Sequence, residues 1–209
     1  MLAHAIAEGA RKAGAEVDIK RVPETVADEA VRHVDLDSVQ GTPLGRVEDL
    51  VSYDAIIIGT PTHFGALGPE MTSFLNAAAG LYARGALNGI VGGAFTAVAK
   101  DDGEQEKTLL SILATLLNFG MVVVGIDYGL AGQAAPTEAL GGSSYGSTTI
   151  TGGHGTRMPW DSELAGARYQ GHRIAETAKR LADPERAGEA RLSTPQGSNM
   201  TDLTSWLPD

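Results

Sequence analysis

The chain has no cysteine in 209 residues. That excludes disulfides, thiolate metal sites and a cysteine nucleophile, and it permits a reducing, cytoplasmic setting. Long hydrophobic runs are also missing, since no apolar stretch approaches the ~18–20 residues of a membrane span. The N-terminal MLAHAIAEGARKAGAE carries charge inside its apolar pattern and has no h-region, so it is not a signal peptide. Positive charge is thin: 16 Lys and Arg face 26 Asp and Glu, for a net −10. A phosphate-backbone partner such as nucleic acid is therefore disfavoured. Only five of the basic residues are lysine, which suits a salt-rich or GC-rich host. Neither a Walker lysine loop nor a G-x-G-x-x-G after a strand is present, which argues against nucleoside triphosphates and a Rossmann-bound dinucleotide. No metal set is expected: His154 lies in a glycine loop, His172 on a helix, and His4 and His33 read as surface residues. What is present is 43% hydrophobic and 20% charged, the balance of a soluble globular α/β domain of this length.

Hydrophobic periodicity orders the chain. Leu2, Ala5, Ile6, Gly9, Ala10 and Ala13 form a helical stripe that Gly14 ends. Glu16–Val22 alternates like a half-buried strand. After a polar stretch, Arg46–Tyr53 reads as a helix leading into Ala55–Gly59, a strand covered on both faces. Gly68-Pro69 opens a helix whose stripe is Met71, Phe74, Leu75 and Ala78. Ile90–Thr96 is a buried strand, and acidic residues from Asp101 to Glu106 crowd the start of the next helix, where the macrodipole favours them. That helix has Leu109, Ile112, Leu113 and Leu116 as its core face and stops at Gly120. Met121–Ile126 is a fourth strand. Residues 127–160 are Gly-, Ser-, Thr- and Pro-rich without a period and read as a long loop. A helix over Asp161–Ala182 follows, with Leu164, Ala167, Gly171, Ile174, Ala178 and Leu181 at heptad-like spacing. Residues 1–183 thus make one domain, and 184–209 a loosely held tail.

Alternating strands and helices predict a doubly wound parallel sheet, with ligands bound outside the carboxyl ends of the strands. Three loops qualify: Thr60–Gly68, Ala97–Gly103 and Asp127 onward. The chain opens inside a helix where such a domain opens with its central strand. Either the start codon is placed too late, or Met1 is the start and something else fills the slot; the expectation is the first, a fold without its first strand and phosphate loop.

The strongest local motif is Gly59-Thr60-Pro61-Thr62-His63-Phe64-Gly65-Ala66-Leu67-Gly68-Pro69, between a buried strand and a helix. Backbone amides with an aromatic wall at Phe64 suit a planar heterocycle, while an ordinary βα turn with Thr60 and Thr62 bonding locally accounts for the same residues. With Ala7-Glu8-Gly9-Ala10, Lys20–Thr25, Tyr53–Thr62, Gly80–Leu87, Gly120–Val124, Tyr145–Gly153 and Ala167–Gly171, the chain from about Leu2 to Leu181 resembles the WrbA-type NAD(P)H:quinone oxidoreductases. These are FMN flavoproteins of the flavodoxin-like fold.

The resemblance implies FMN held at Thr62, His63, Phe64 and Gly65, with Ala97 and Asn118 also in the flavin pocket. His63 and Tyr82 line the space shared by NAD(P)H and quinone. The family has Arg at His63, Trp at Tyr82 and His at Asn118. Histidine keeps a donor but makes its charge depend on pH, tyrosine keeps a flat ring, and asparagine keeps hydrogen bonding without charge. The loop Ala97–Gly103 has lost the family's hydroxyls and glycines and gained Lys100, Asp101 and Asp102. The family's phosphate loop would precede Met1. The resemblance also implies two-electron, ping-pong hydride transfer and a homodimer or homotetramer, with 127–160 covering a neighbour's site. No residue is assigned as catalytic.

Two other readings compete. A flavin-free scaffold or regulatory relative fits the altered 97–103 loop. A serine hydrolase fits Gly142-Ser143-Ser144-Tyr145-Gly146 with Asp161 and His172 in order, but the motif needs a strand before it and a helix after it, and loop is expected on both sides.

Overall fold

The computed structural model describes residues 1–23, 41–99, 104–127, 142–152 and 157–182. Its helices are α1 (Leu2–Lys12), α2 (Pro69–Ala77), α3 (Ala79–Ala83), α4 (Glu104–Asn118) and α5 (Asp161–Ala182). Its strands are β1 (Ala55–His63), β2 (Ala66–Leu67), β3 (Val91–Val98), β4 (Val122–Val123), β5 (Gly142–Ser143) and β6 (Gly146–Ile150). The sheet runs β2-β1-β3-β6-β5, with β4 also on β3. The β1–β3, β3–β4 and β3–β6 pairs are parallel, and the two hairpins at the ends are antiparallel.

Period-2 alternation sends neighbouring side chains of β1 and β3 to opposite layers. Ile58 and Ala94 join Leu75, Leu81, Leu109, Ile112 and Leu116 under α2, α3 and α4. Ile57 and Phe95 pack against Leu2, Ile6 and Ala167 of α1 and α5. Both faces of the sheet are covered, as a parallel sheet requires. Leu109, Ile112 and Leu116 are each at most 1% exposed, and burying such a side chain is worth about 1.5–3 kcal/mol.

The α1–α5 crossing is unusually close. A Cβ on Gly9 would overlap the Arg168 carbonyl, and one on Gly171 the Ile6 carbonyl. At its rim Arg168 Nε donates to Glu8 at 2.7 Å, and this bond, with Lys12 beside it, holds the Glu8 carboxyl below its ordinary range.

Several expectations need correction. Glu16–Val22 forms no ladder; a single parallel bridge joins Arg21 to Leu44. A strand exists only with a partner, and among the described residues the β1 edge away from β3 is paired only at Thr62 and His63, by β2. Arg46–Tyr53 is a 3-10 helix over Val47–Ser52 rather than an α-helix. Met121–Ile126 contributes only Val122–Val123, paired with Val91 and Gly92. The second half of β3 pairs instead with β6, a strand inside the stretch expected as loop. Gln170, fully buried on α5, bridges the handover. Its Nε2 donates to Ala94 O at 2.8 Å, and its Oε1 accepts from Ser147 N–H at 3.0 Å. Gln170→Leu leaves both backbone groups unpaired in the core, so a loss of about 2–4 kcal/mol in urea unfolding is expected. Leu181, expected in the α5 stripe, is 50% exposed. Met1, Lys100–Gly103, His33, His154 and the tail carry expectations that the fold does not address, and all but Met1 lie outside the described residues.

Candidate functional site

The carboxyl ends of β1, β3 and β6 lie side by side: Pro61 registers with Ala97, and Ala97 with Thr149. At the end of β1 the chain reverses through a two-residue turn, closed by the His63–Ala66 pair. Both turn residues have positive φ, Phe64 at 53° and Gly65 at 77°. That is the type I′ geometry, for which Asn-Gly is favoured because its twist matches the strands. Glycine suits the second position. Phenylalanine in the left-handed region is a true outlier, with strain of order 1–3 kcal/mol.

The strained ring is also unprotected. Phe64 is 88% exposed, the most of any large hydrophobic among the described residues. His63 stands edge-on to it, with centroids 4.9 Å apart. A stem of threonines fixes the turn from below. Thr96 Oγ1 donates to Thr60 O at 2.7 Å, Gly68 N–H to Thr60 Oγ1 at 3.1 Å, and Gly65 N–H to Thr62 Oγ1 at 3.3 Å. Lys107 of α4 lays its stem along Gly65, 3.2 Å from where a Cβ would stand.

The other wall is set by an ion pair that the sequence reading missed. Arg157 donates to Glu163 Oε1 at 2.7 Å, to Thr149 Oγ1 at 3.3 Å and to the Ile150 carbonyl. Glu163 Oε2 also accepts from Thr149 Oγ1 and from Trp160 N–H, so the carboxylate is saturated though its side chain is 1% exposed. The bond to Trp160 N–H is half of a capping box, since Glu163 stands three residues into α5. Thr151 N–H donates to Val98 O at 2.8 Å, which binds this loop to β3 beside Ala97.

Thus Thr62, His63, Phe64, Gly65 and Ala97 gather at one end of the sheet. Asn118 and Tyr82 do not join them, which corrects the single-pocket expectation. Thr108 of α4 touches Thr62, and Asn118 lies ten residues on, about 15 Å along the helix axis. Tyr82, 59% exposed, contacts Phe119 at that far end, with centroids 6.0 Å apart. The hydrolase arrangement fails as well. Ser144 sits in the turn between β5 and β6, with strand rather than helix after it. His172 of α5 lies 3.8 Å from Glu176 instead.

Residues 1–135 match the family model described as NADPH-dependent FMN reductase. The chain belongs to that family. It is 58% identical over 182 residues to an NAD(P)H dehydrogenase (quinone) of a Bradyrhizobium species, covering 86% of this chain and 90% of that one. An NAD(P)H dehydrogenase (quinone) of Caulobacter vibrioides is 56% identical, with 87% and 91% covered. Among solved structures, a flavodoxin, WrbA-like protein from Agrobacterium tumefaciens superposes with a TM-score of 0.58 at 21% identity, covering 86% and 88%. An archaeal flavodoxin gives 0.51 at 18% identity, covering 85% and 88%. The fold is flavodoxin-like.

Proposed function

We propose that the chain is an FMN-dependent NAD(P)H:quinone oxidoreductase whose flavin lodges against the Thr62–Gly65 turn. Membership of the FMN reductase family and the high identity to quinone-reducing NAD(P)H dehydrogenases support the reaction class. The observation that carries the site is Phe64, forced to positive φ and left 88% exposed at the carboxyl edge. Strain of that kind persists where a ligand uses it. The residues present fit a flat heterocycle: Phe64 gives an apolar wall, and the side-chain-free Gly65 leaves the backbone approachable.

Bound FMN would supply the two-electron carrier between NAD(P)H and quinone. The chain's own residues orient and exclude. Phe64 stacks, His63 offers a ring N–H beside it, and Ala97, with the β6 end held by Arg157, closes the other side. One pocket serving donor and acceptor in turn gives ping-pong kinetics. Tyr82 and Asn118, at the opposite end, reach a flavin site only on another copy, so the reading includes a homodimer or homotetramer. Residues 1–183 form the catalytic domain with 184–209 as a tail, and the composition without cysteine suits the cytoplasm.

The test is colour and turnover. The purified chain supplied with FMN should show flavin absorbance and oxidise NAD(P)H with a quinone, giving parallel double-reciprocal lines. A colourless chain that takes up no FMN would remove the proposal and leave the flavin-free reading. A sharper check separates fold from function. Phe64→Asn restores the favoured Asn-Gly turn, so the melting temperature should rise by the equivalent of about 1 kcal/mol. The same change removes the stacking wall, and FMN affinity should fall roughly three- to tenfold.

A further inference from the structure

We propose that Thr108, inside α4, is the positioning residue that keeps the His63–Phe64 turn in its ligand-binding shape. Its hydroxyl donates to Glu104 O at 2.9 Å, and a hydroxyl has one proton to give. In the 2.7 Å contact with Thr62 Oγ1, Thr108 must therefore accept and Thr62 donate. Thr62, its own proton engaged, turns its lone pairs to the Gly65 N–H at 3.3 Å. The result is a chain of fixed direction: Gly65 N–H to Thr62, Thr62 to Thr108, Thr108 to the α4 backbone.

The chain ends at the residue following Phe64, on the half of the turn whose φ is 77°. Two consecutive residues of α4 grip that turn, since the Lys107 stem touches Gly65 from the side. Thr108 itself is fully buried, so it acts on the site only through Thr62. Without its hydroxyl, Thr62 is released to other rotamers. Gly65 then loses its acceptor, and Phe64 relaxes toward ordinary φ, away from the site. The ligand half of this inference rests on the proposed FMN function; the turn half does not.

Three full-length proteins decide it: the wild type, Thr108→Val, which keeps the shape, and Thr108→Ser, which keeps the hydroxyl. Amide exchange at Gly65 is followed by NMR without ligand, and FMN affinity by quenching of flavin fluorescence. Thr108→Val should speed Gly65 exchange and weaken FMN by about tenfold each, while Thr108→Ser restores both to within about twofold. Should Thr108→Val fold poorly, Thr62→Val is the second variant. It must reproduce the Gly65 effect, and the double variant must add nothing to it, because both cut one chain. Unchanged Gly65 exchange in Thr108→Val, or a serine variant as impaired as the valine, would overturn the proposal. A wild type that takes up no FMN brings down the FMN function and the ligand half with it. The Gly65 exchange still passes or fails the turn half.

Discussion

Gly171→Ala should destabilise the protein by about 3 kcal/mol or more, read as a lowered urea midpoint. Gly9→Ala should do the same. Overpacking commonly costs about 1–3 kcal/mol when side chains can shift aside. Here the obstacle is backbone: the added Cβ at Gly171 meets the Ile6 carbonyl and lies 2.8 Å from its carbon and 3.1 Å from Ala10 N. The only relief is to part the helices, and that uncovers Leu2, Ala5, Ile6 and Ala167 together. Once α1 and α5 have moved apart, the second glycine has no further close contact to lose. The double variant should therefore fall short of the sum. Gly80→Ala is the control with opposite sign. It lies in α3 with open space around its Cβ position, so helix propensity alone should leave stability equal or up to about 1 kcal/mol higher. An unchanged midpoint in Gly171→Ala would mean that α1 does not sit on α5 as described.

Those glycines were legible as members of two helical stripes, and the limits of both helices followed from periodicity. The bounds of α5 are as expected, and α1 ends one residue before Ala13, with Gly14 at φ 90°. Helices are legible because their signal is local. Strands are not, because pairing depends on which distant edge is free. Val17 and Ile19 alternate like any strand residues yet join no ladder, while Gly146-Ser147-Thr148-Thr149-Ile150 looks like loop and is central to the sheet. Its composition misled for a physical reason. Two of its inward groups meet Gln170 and Glu163, so this core is polar where a strand pattern expects hydrocarbon. The site divides in the same way. Thr62, His63, Phe64 and Gly65 are contiguous and were visible as one motif. Thr108, Lys107 and Arg157 come to the site only through packing. Tyr82 and Asn118 entered by resemblance, which conveys which residues matter but not whether one copy can bring them together.

Arg157→Ala puts that polar core to the test and should cost about 3–5 kcal/mol, because it strands a carboxylate that has almost no access to water. Glu163 would retain Thr149 Oγ1 and Trp160 N–H as donors but lose its counter-charge. The Ile150 carbonyl would lose a donor in the same stroke, and the Trp160 ring the guanidinium stacked 4.6 Å from its centroid. The diagnostic is a second substitution that helps. In the Arg157→Ala background, Glu163→Gln removes the stranded charge while its carbonyl still accepts from Thr149 and Trp160. Thermal unfolding should then show the double variant more stable than Arg157→Ala alone. Were the damage mere loss of packing by the arginine stem, the glutamine would add nothing. Activity should not recover with stability, since the Ile150 carbonyl and Thr149 Oγ1, beside Ala97, still lack the donors of the fork. A double variant regaining both stability and quinone turnover would mean that the β6 end of the site needs no fixing by Arg157.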